Sequence, residues 1–284
     1  MDNRTGRAQV AQETLDILER GKYVSPSGNE VRIDQSLKHA RENSVLYRPE
    51  MYADVFKRRD AMPRDARKLK FEVVNETTLA TARQHAEADN DLDVLCLNFA
   101  SAKNPGGGFL GGSRAQEESL ARSSGLYPCI NQMQQMYLTN RANRSCLYTD
   151  HVIYSPKVPV IRDDEGTLLD QPYCVSFLTV RAVNAGAVRK NDNKNVDKIA
   201  PTMISRMEKL LSVAAIHGHE CLVLGAWGCG VFKNDSADVA AWFYDHLVDS
   251  PVFQGLFKTV VFAVTDWSEE RRFIGPFEER FGKG

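Results

Sequence analysis

Two apolar runs, each followed directly by a glycine-rich segment, constrain the fold of this chain most. The first run covers residues 94–99 and leads into residues 104–118, where five of the nineteen glycines lie between positions 106 and 112. The second run, residues 221–224, leads into residues 225–230. Short apolar runs that end at glycines are typical of buried strands. A backbone without Cβ atoms can approach a ligand closely, so we expect two ligand loops after two buried strands.

Strand-like and helix-like patterns alternate along most of the chain. The predicted strands are 30–33, 71–74, 93–99, 151–154, 173–178, 221–224 and 258–264, and the predicted helices are 7–22, 35–44, 77–88, 116–122, 131–140, 196–217 and 236–247. This alternation predicts a mixed or parallel sheet covered on both faces, which is a three-layer α/β/α sandwich. Ligands bind such sheets at the carboxyl ends of the strands, where both glycine loops are expected.

The alternating pattern becomes continuous only from Phe71 onward. A length of 284 residues suits one large domain, or one domain with an extension. We expect residues 1–65 to form an N-terminal helical extension that packs on a catalytic domain of residues 66–284, giving one compact unit. The charged stretch 48–70 is expected to be a solvated loop or helix. Residues 157–169 are expected to be an excursion between strands.

Composition excludes several classes of protein. The 36 basic and 37 acidic side chains nearly cancel, so no overall charge favours binding to nucleic acid or to a membrane. The sequence has no apolar run of about 18 residues and no signal-like N-terminus. The six cysteines are scattered without the spacing of metal ligands, which indicates reduced core thiols in a cytoplasmic protein. A phosphate-bearing ligand would therefore be held by local geometry.

The first glycine loop has the features of a phosphate cradle. It lacks the Gly-Lys-Ser/Thr ending of a P-loop, and its glycines do not have the Rossmann spacing, which excludes ATP hydrolysis and ordinary dinucleotide redox chemistry. Gln116, Glu117 and Glu118 follow at a predicted helix N-terminus, where they would face the same ligand. The alternative is a glycine-rich turn before a charged surface helix.

Glu117 and Glu118 cannot play the same role. Neighbours on a helix point about 100° apart, so the two carboxylates cannot flank one bond as a glycosidase pair does. One is expected to be the acid–base and the other to anchor a hydroxyl or a ribose. A helix N-terminus lowers the pKa of a carboxyl, whereas a nearby substrate phosphate raises it. We therefore expect the acid to become poised only in the substrate complex.

The second glycine loop, Gly225 to Phe232, has three glycines within six positions. Such a backbone nest suits a diphosphate, and Phe232 at its end can pack on a ribose. The alternative is a tight strand-to-helix turn with Trp227 and Phe232 in the core.

These segments together resemble the signature of the poly(ADP-ribose) glycohydrolase family. That signature joins a glycine triplet to Gln-Glu-Glu across six to eight residues, and here seven residues separate Gly108 from Gln116. Residues 154–162 and 225–232 are similar to the microbial branch of the family. The resemblance covers most of the chain.

The resemblance implies a macrodomain fold and a hydrolase that cleaves ribose–ribose O-glycosidic bonds of poly(ADP-ribose), from chain ends (exo). It implies ADP-ribosylated proteins as substrates, reversal of ADP-ribosylation in the DNA damage response, and no metal or other cofactor. Glu118 resembles the family's catalytic acid–base, and Glu117 would hold ribose hydroxyls. Gln116 would orient these two glutamates. The implied binding residues are Asn104 near the distal ribose, the triplet Gly106, Gly107 and Gly108, and the diphosphate loop Gly228, Cys229, Gly230, Val231 and Phe232.

Two other functions remain open at this point. A macrodomain can bind ADP-ribose without hydrolysing it, although binding alone does not require Gln-Glu-Glu. The same fold can also hydrolyse mono-ADP-ribosyl groups from proteins or nucleic acids. No direct binding of nucleic acid and no membrane association are expected.

Overall fold

A computed structural model describes residues 3–88, 92–143 and 145–282. The strands in these residues are β1 (Lys22–Val24), β2 (Glu30–Arg32), β3 (Val45–Tyr47), β4 (Lys70–Val74), β5 (Val94–Phe99), β6 (Val152–Arg162), β7 (Leu168–Val180), β8 (Cys221–Leu224) and β9 (Thr259–Ala263). The α-helices are α1 (Arg4–Arg20), α2 (Asp34–Glu42), α3 (Tyr52–Asp60), α4 (Thr78–Ala88), α5 (Gln116–Ser123), α6 (Leu126–Asn131), α7 (Gln134–Ala142), α8 (Ala185–Asn191), α9 (Ile199–Ile216), α10 (Ser236–Tyr244) and α11 (Gly275–Phe281).

Seven strands form the main sheet in the order β3-β6-β7-β5-β8-β9-β4. Strands β7, β5, β8, β9 and β4 run parallel, whereas β6 runs antiparallel to both of its neighbours. One hydrophobic cluster joins the sheet to α3, α9, α10 and α11, and a second joins it to α2, α4, α6 and α7. The expected three-layer α/β/α sandwich with a mixed sheet is therefore confirmed.

Strand β5 shows how the sequence builds the middle layer. Its side chains alternate between the faces, so Val94 and Cys96 belong to one cluster while Leu95 and Leu97 belong to the other. Both faces are buried, which explains the continuous apolar run. Asn98 continues the face of Val94 and Cys96, and this places a buried amide beneath the helices that follow the first glycine loop.

The expected excursion at residues 157–169 is wrong. These residues belong to the long hairpin of β6 and β7, and the register shifts between Ser155 and Val158. Pro156 lies at this shift, where a bulge accommodates a residue that cannot donate a backbone hydrogen bond, whereas Pro159 stays in register opposite Cys174. The predicted helix 131–140 corresponds to α7, which begins only at residue 134; residue 131 is the last of a separate helix, α6.

The N-terminal part contributes to the main sheet. Strand β3 pairs antiparallel with β6 at the sheet edge, so a strand upstream of residue 65 belongs to the same sheet as the rest. A boundary at residue 65 stays a prediction. The stretch 48–70 is not fully solvated, because Tyr52, Val55 and Arg59 on one side of α3 are buried. Arg59 is held there by Glu208 and Ser212 of α9.

Candidate active site

Gln116 ties the start of α5 to the end of β5. Its Oε1 accepts a hydrogen bond from the backbone N–H of Phe99 at 2.9 Å, and its Nε2 donates to the Leu97 carbonyl at 2.7 Å and to Thr78 Oγ1 at 3.0 Å. The amide thus holds the first turn of α5 at the carboxyl edge of the sheet. Both polar atoms of this amide are therefore bound to the protein.

The glycine triplet lies directly against both carboxylates. Gly107 has φ +59°, and a Cβ atom there would fall on Glu118 Oε1, 2.8 Å from Glu118 Cδ and 3.3 Å from Glu117 Oε2. The backbone N–H of Gly108 donates to Glu118 Oε1 at 3.0 Å. Only a residue without a side chain fits at Gly107, so the structure brings the triplet and the two glutamates together as one site.

The rest of the first loop rests on aromatic rings and on Ser113. A Cβ atom at Gly106 would lie 2.9 Å from the ring of Phe109 and 3.2 Å from that of Tyr127. At Gly108 it would lie 2.5 Å from Ser113 Oγ. The triplet is therefore closely packed against these side chains.

Helix α1 holds the segment between the triplet and α5. Arg4 Nε donates to the Gly111 carbonyl at 2.8 Å, and Arg7 Nε donates to the Gly112 carbonyl at 2.9 Å. Gly112 has φ +70°, and a Cβ atom there would fall on the Arg4 carbonyl oxygen. Ala11 of α1 packs with Phe109 of the loop. Nothing in the local sequence indicated this contact, because it joins residues more than 100 positions apart.

Glu117 is a buried carboxyl with only 2% of its surface exposed. Its Oε2 accepts from the Ser101 backbone N–H at 2.6 Å, and its Oε1 accepts from Asn98 Nδ2 at 3.3 Å. Burial raises the pKa of Glu117 to about 8, and the neighbouring Glu118 adds to the rise, whereas the hydrogen bonds lower it. For Glu117, desolvation thus outweighs the lowering that a helix N-terminus and the hydrogen bonds provide.

Glu118 is only half-buried and lies on the side of Gly107 and Gly108. The two adjacent glutamates thus differ in environment, since Glu117 is held inward by the end of β5 while Glu118 is held by one backbone N–H of the triplet. Two carboxyls in such different environments can have different roles. The more exposed Glu118 can exchange a proton with a ligand, and the buried Glu117 can accept hydrogen bonds from hydroxyl groups.

The second glycine loop follows β8 at the same sheet edge. A Cβ atom at Gly225 would lie 2.6 Å from the Ala263 carbonyl and 3.0 Å from the ring of Phe99, which closes β5. Trp227 is fully buried, and its Nε1 donates to the Val180 carbonyl at 3.2 Å. Trp227 therefore belongs to the core, while the glycines bring this loop beside the end of β5.

The predicted binding residues of this loop differ in exposure. Gly228 has φ +77°, and a Cβ atom there would lie 2.7 Å from Asn234 Nδ2. Cys229 is buried, so its side chain packs inward, and burial raises the pKa of its thiol. Gly230 is exposed and Val231 has 81% of its surface exposed. Phe232 is half-buried, with its ring 6.2 Å from that of Tyr148.

Asn104 is exposed just before the triplet. Its carbonyl accepts from the Gly107 N–H at 3.0 Å, which helps to form the turn. Residues that sequence reasoning did not assign also contribute: Ser101 by its backbone N–H, and Asn98 by its amide. The polar Asn98 inside an apolar strand is the signal that could have identified it.

The described residues show neither a metal cluster nor a membrane-spanning helix. Across residues 3–88, 92–143 and 145–282, no three His, Cys, Asp or Glu side chains lie together as metal ligands would. No helix within the same ranges has the length and apolar character to span a membrane.

Comparison with known proteins agrees with this geometry. Residues 11–163 match the family model described as microbial-type PARG, catalytic domain. The structure of poly(ADP-ribose) glycohydrolase from Thermomonospora curvata is 47% identical and superposes with a TM-score of 0.93, over 98% of this chain and 100% of that one. The same enzyme bound to the inhibitor ADP-HPD gives a TM-score of 0.90 at 47% identity, with the same coverage of both chains.

A more distant structure extends the comparison. The Deinococcus radiodurans poly(ADP-ribose) glycohydrolase in complex with ADP-ribose is 44% identical, with a TM-score of 0.82 over 88% of this chain and 98% of that one. A search of curated proteins finds no match. The fold and the site define a macrodomain-like hydrolase architecture. Within it, the chain belongs to the microbial-type PARG family, as its sequence signature indicated.

Proposed function

We propose that this protein is a poly(ADP-ribose) glycohydrolase that hydrolyses ribose–ribose O-glycosidic bonds and releases ADP-ribose. The observation that carries the proposal is the contact of Gly107 with both carboxylates, because it puts an acid–base group beside a backbone that can take a phosphate-bearing ligand. Family membership supports the substrate class.

In this proposal Glu118 is the catalytic acid–base. It protonates the leaving ribose oxygen as the glycosidic bond breaks, and it then takes a proton from the water that attacks the oxocarbenium-like centre. Glu117 accepts hydrogen bonds from ribose hydroxyls, and Gln116 orients both glutamates. The triplet and residues 228–232 line the diphosphate and ribose, with Asn104 near the distal ribose. No step requires a metal.

Replacing Glu118 by Gln tests the assignment. The substitution keeps the shape of the side chain but removes the transferable proton, so we expect release of ADP-ribose from poly(ADP-ribose) to fall by roughly 10²–10⁴-fold. Binding of ADP-ribose, measured by calorimetry, should persist. The exposed Glu19→Gln on α1 is a matched control that should keep full activity. Turnover by Glu118→Gln at the wild-type rate would refute the role of Glu118.

The substrate is tested by giving the enzyme poly(ADP-ribose) and a mono-ADP-ribosylated protein in separate assays. We expect ADP-ribose to be released from the polymer. Release only from the mono-modified protein would favour a mono-ADP-ribosyl hydrolase, and binding without release would favour a reader.

The finer features stay predictions. Exo cleavage predicts that monomeric ADP-ribose is the first product, whereas early oligomers would contradict it. ADP-ribosylated proteins as natural substrates, a role in the DNA damage response and a cytoplasmic location rest on the resemblance and on the cysteine content.

A further inference from the structure

Arg181 is a fully buried arginine whose charge is not matched by any direct ion pair among the described residues. Its Nη1 donates to Thr149 Oγ1 at 3.4 Å, while Nε and Nη2 have no hydrogen-bond partner in the described part of the protein. Burying a guanidinium without partners is costly, so a buried cation of this kind requires a compensating charge nearby.

A second buried arginine shows that the fold can supply hydrogen-bond partners and an opposite charge to a buried guanidinium. Arg206 is equally buried, and its Nε donates to Asp150 Oδ1 at 2.9 Å while its Nη1 donates to the Arg181 carbonyl at 3.1 Å. Asp150 also pairs with Lys209. Arg206 therefore has a carboxylate in direct contact, and Arg181 does not.

Arg181 follows directly after the last register pair of β5 and β7, Phe99 and Val180, near the residues that hold Glu117. Thr179 lies opposite Asn98, and Asn98 Nδ2 donates both to Thr179 Oγ1 at 3.1 Å and to Glu117 Oε1 at 3.3 Å. Arg181 follows two positions after Thr179, on the same face of the sheet. Arg181 thus lies just beyond Asn98 and Thr179, toward the edge of the sheet where the glycine loops lie.

Further unpartnered polar atoms lie in the same region. Asn98 Oδ1 and the Tyr137 hydroxyl are buried and lack partners among the described residues. Tyr137 of α7 interacts electrostatically with both Glu117 and Arg181, and Arg181 with Glu117. The only other buried carboxylate of the described residues, Asp266, accepts hydrogen bonds from its own loop. Glu117 is therefore the negative charge that Arg181 faces.

We propose that Arg181 is a positioning residue for Glu117, whose buried guanidinium faces the Glu117 carboxyl and favours its ionised form, which accepts hydrogen bonds from the ribose hydroxyls. Arg181 does not touch the substrate and acts through Glu117. This inference rests on the proposed role of Glu117 as the hydroxyl anchor.

The charges around the pair fix the direction of the expected effect. Glu118 faces Glu117 from the same helix, Tyr137 faces it from α7, and Arg181 faces it from the end of β7. Arg206 and Tyr148 in turn interact with Arg181. Arg181 is the cation of this group that interacts with Glu117, so its removal raises the pKa of Glu117. The ionised form then persists only at higher pH.

The test is the pH dependence of ADP-ribose binding and of kcat/KM in Arg181→Met and Arg181→Lys. We expect Arg181→Met to move the acid limb of both profiles to higher pH, and Arg181→Lys to move it less because the charge is kept. Arg59→Met is the matched control: it removes a buried arginine of α3 that has its own carboxylate in Glu208, so it should lower stability without moving the limb. A folded Arg181→Met variant with the wild-type limb would overturn the proposal.

A double-mutant cycle on the dissociation constant of ADP-ribose separates this role from a merely structural one. If Arg181 acts through Glu117, Arg181→Met should change affinity by less than about threefold in a Glu117→Gln background. An equal loss in both backgrounds would overturn it. Should Arg181→Met not fold, the pH profile of Arg181→Lys decides, since an unmoved limb refutes the proposal. An active Glu118→Gln would instead refute the proposed function.

Discussion

Gly107→Ala is the substitution whose outcome most directly tests the geometry of the site. The added methyl group meets two obstacles: the backbone of Gly107 has φ +59°, and the Cβ atom would overlap the Glu118 carboxyl group. The first obstacle affects stability, and the second affects the position of the acid–base.

The magnitudes follow from these contacts. A non-glycine residue in the left-handed region costs roughly 1–2 kcal/mol. The Cβ atom would lie 2.8 Å from Glu118 Cδ, whereas ordinary contact begins at 3.4 Å, so the carboxyl must retreat by at least about 0.6 Å. The carboxyl is the end of a flexible side chain, so it moves while the loop stays. Since a misplacement of about 1 Å can reduce a rate about 10²-fold, we expect a loss of about 10–10²-fold in kcat.

Gly218→Ala is the matched control. Gly218 has φ +78°, and a Cβ atom added there would have no other group within 4 Å, so the change imposes the backbone cost without a clash. Release of ADP-ribose and urea unfolding are measured for both variants. We expect similar losses of unfolding free energy, with the loss of activity confined to Gly107→Ala.

Two results would refute this reasoning. If Gly107→Ala kept kcat within threefold of the wild type, catalysis would not depend on the position of the Glu118 carboxyl against the glycine triplet. If it lost stability by several kcal/mol more than Gly218→Ala, the loop would be too rigid for the carboxyl to move independently.

The remaining predictions concern α1 and Glu117. Replacing Arg4 and Arg7 together by Ala removes their hydrogen bonds to the first loop, so we expect kcat to fall about tenfold with little change in the unfolding midpoint. The exposed Arg20→Ala is the control and should leave kcat unchanged. Equal kcat values for the two variants would contradict the prediction. The raised pKa of Glu117 means that the folded state binds more protons than the unfolded chain, so its burial lowers stability as pH rises toward about 8. Glu117→Gln should therefore become more stable than the wild type in urea unfolding at pH 9 relative to pH 5, and parallel curves would show that burial does not perturb this carboxyl.

The parts of the site that follow from local pattern could be predicted from the sequence. The apolar run 94–99, the glycines after it and the Gln-Glu-Glu sequence at 116–118 predict the strand, the loop and the helix, because each signal lies within one short segment. The strand Cys221 to Leu224 and the second glycine loop could be predicted for the same reason, because their signals also lie within one short segment. The unequal environments of Glu117 and Glu118 were inferred from helix geometry, and the structure gives their physical basis in burial.

Other features depend on contacts that no local pattern contains. The β6–β7 hairpin was not predicted, and its register shifts at a bulge that contains Pro156. The hold of α1 on the first loop and the place of Arg181 near Glu117 both arise from tertiary packing. The raised pKa of Glu117 comes from its burial, and burial cannot be read from residue 117 alone.

The hydrogen bonds between α1 and the first glycine loop affect when the enzyme becomes active during folding. The contacts that join Arg4 and Arg7 to Gly111 and Gly112 close segments of 107 and 105 residues. Long closures lose more chain entropy, and they form slowly compared with local helices and turns. A refolding chain could thus regain most of its secondary structure before its catalytic loop is fixed. Recovery of activity would then lag behind recovery of the helical signal.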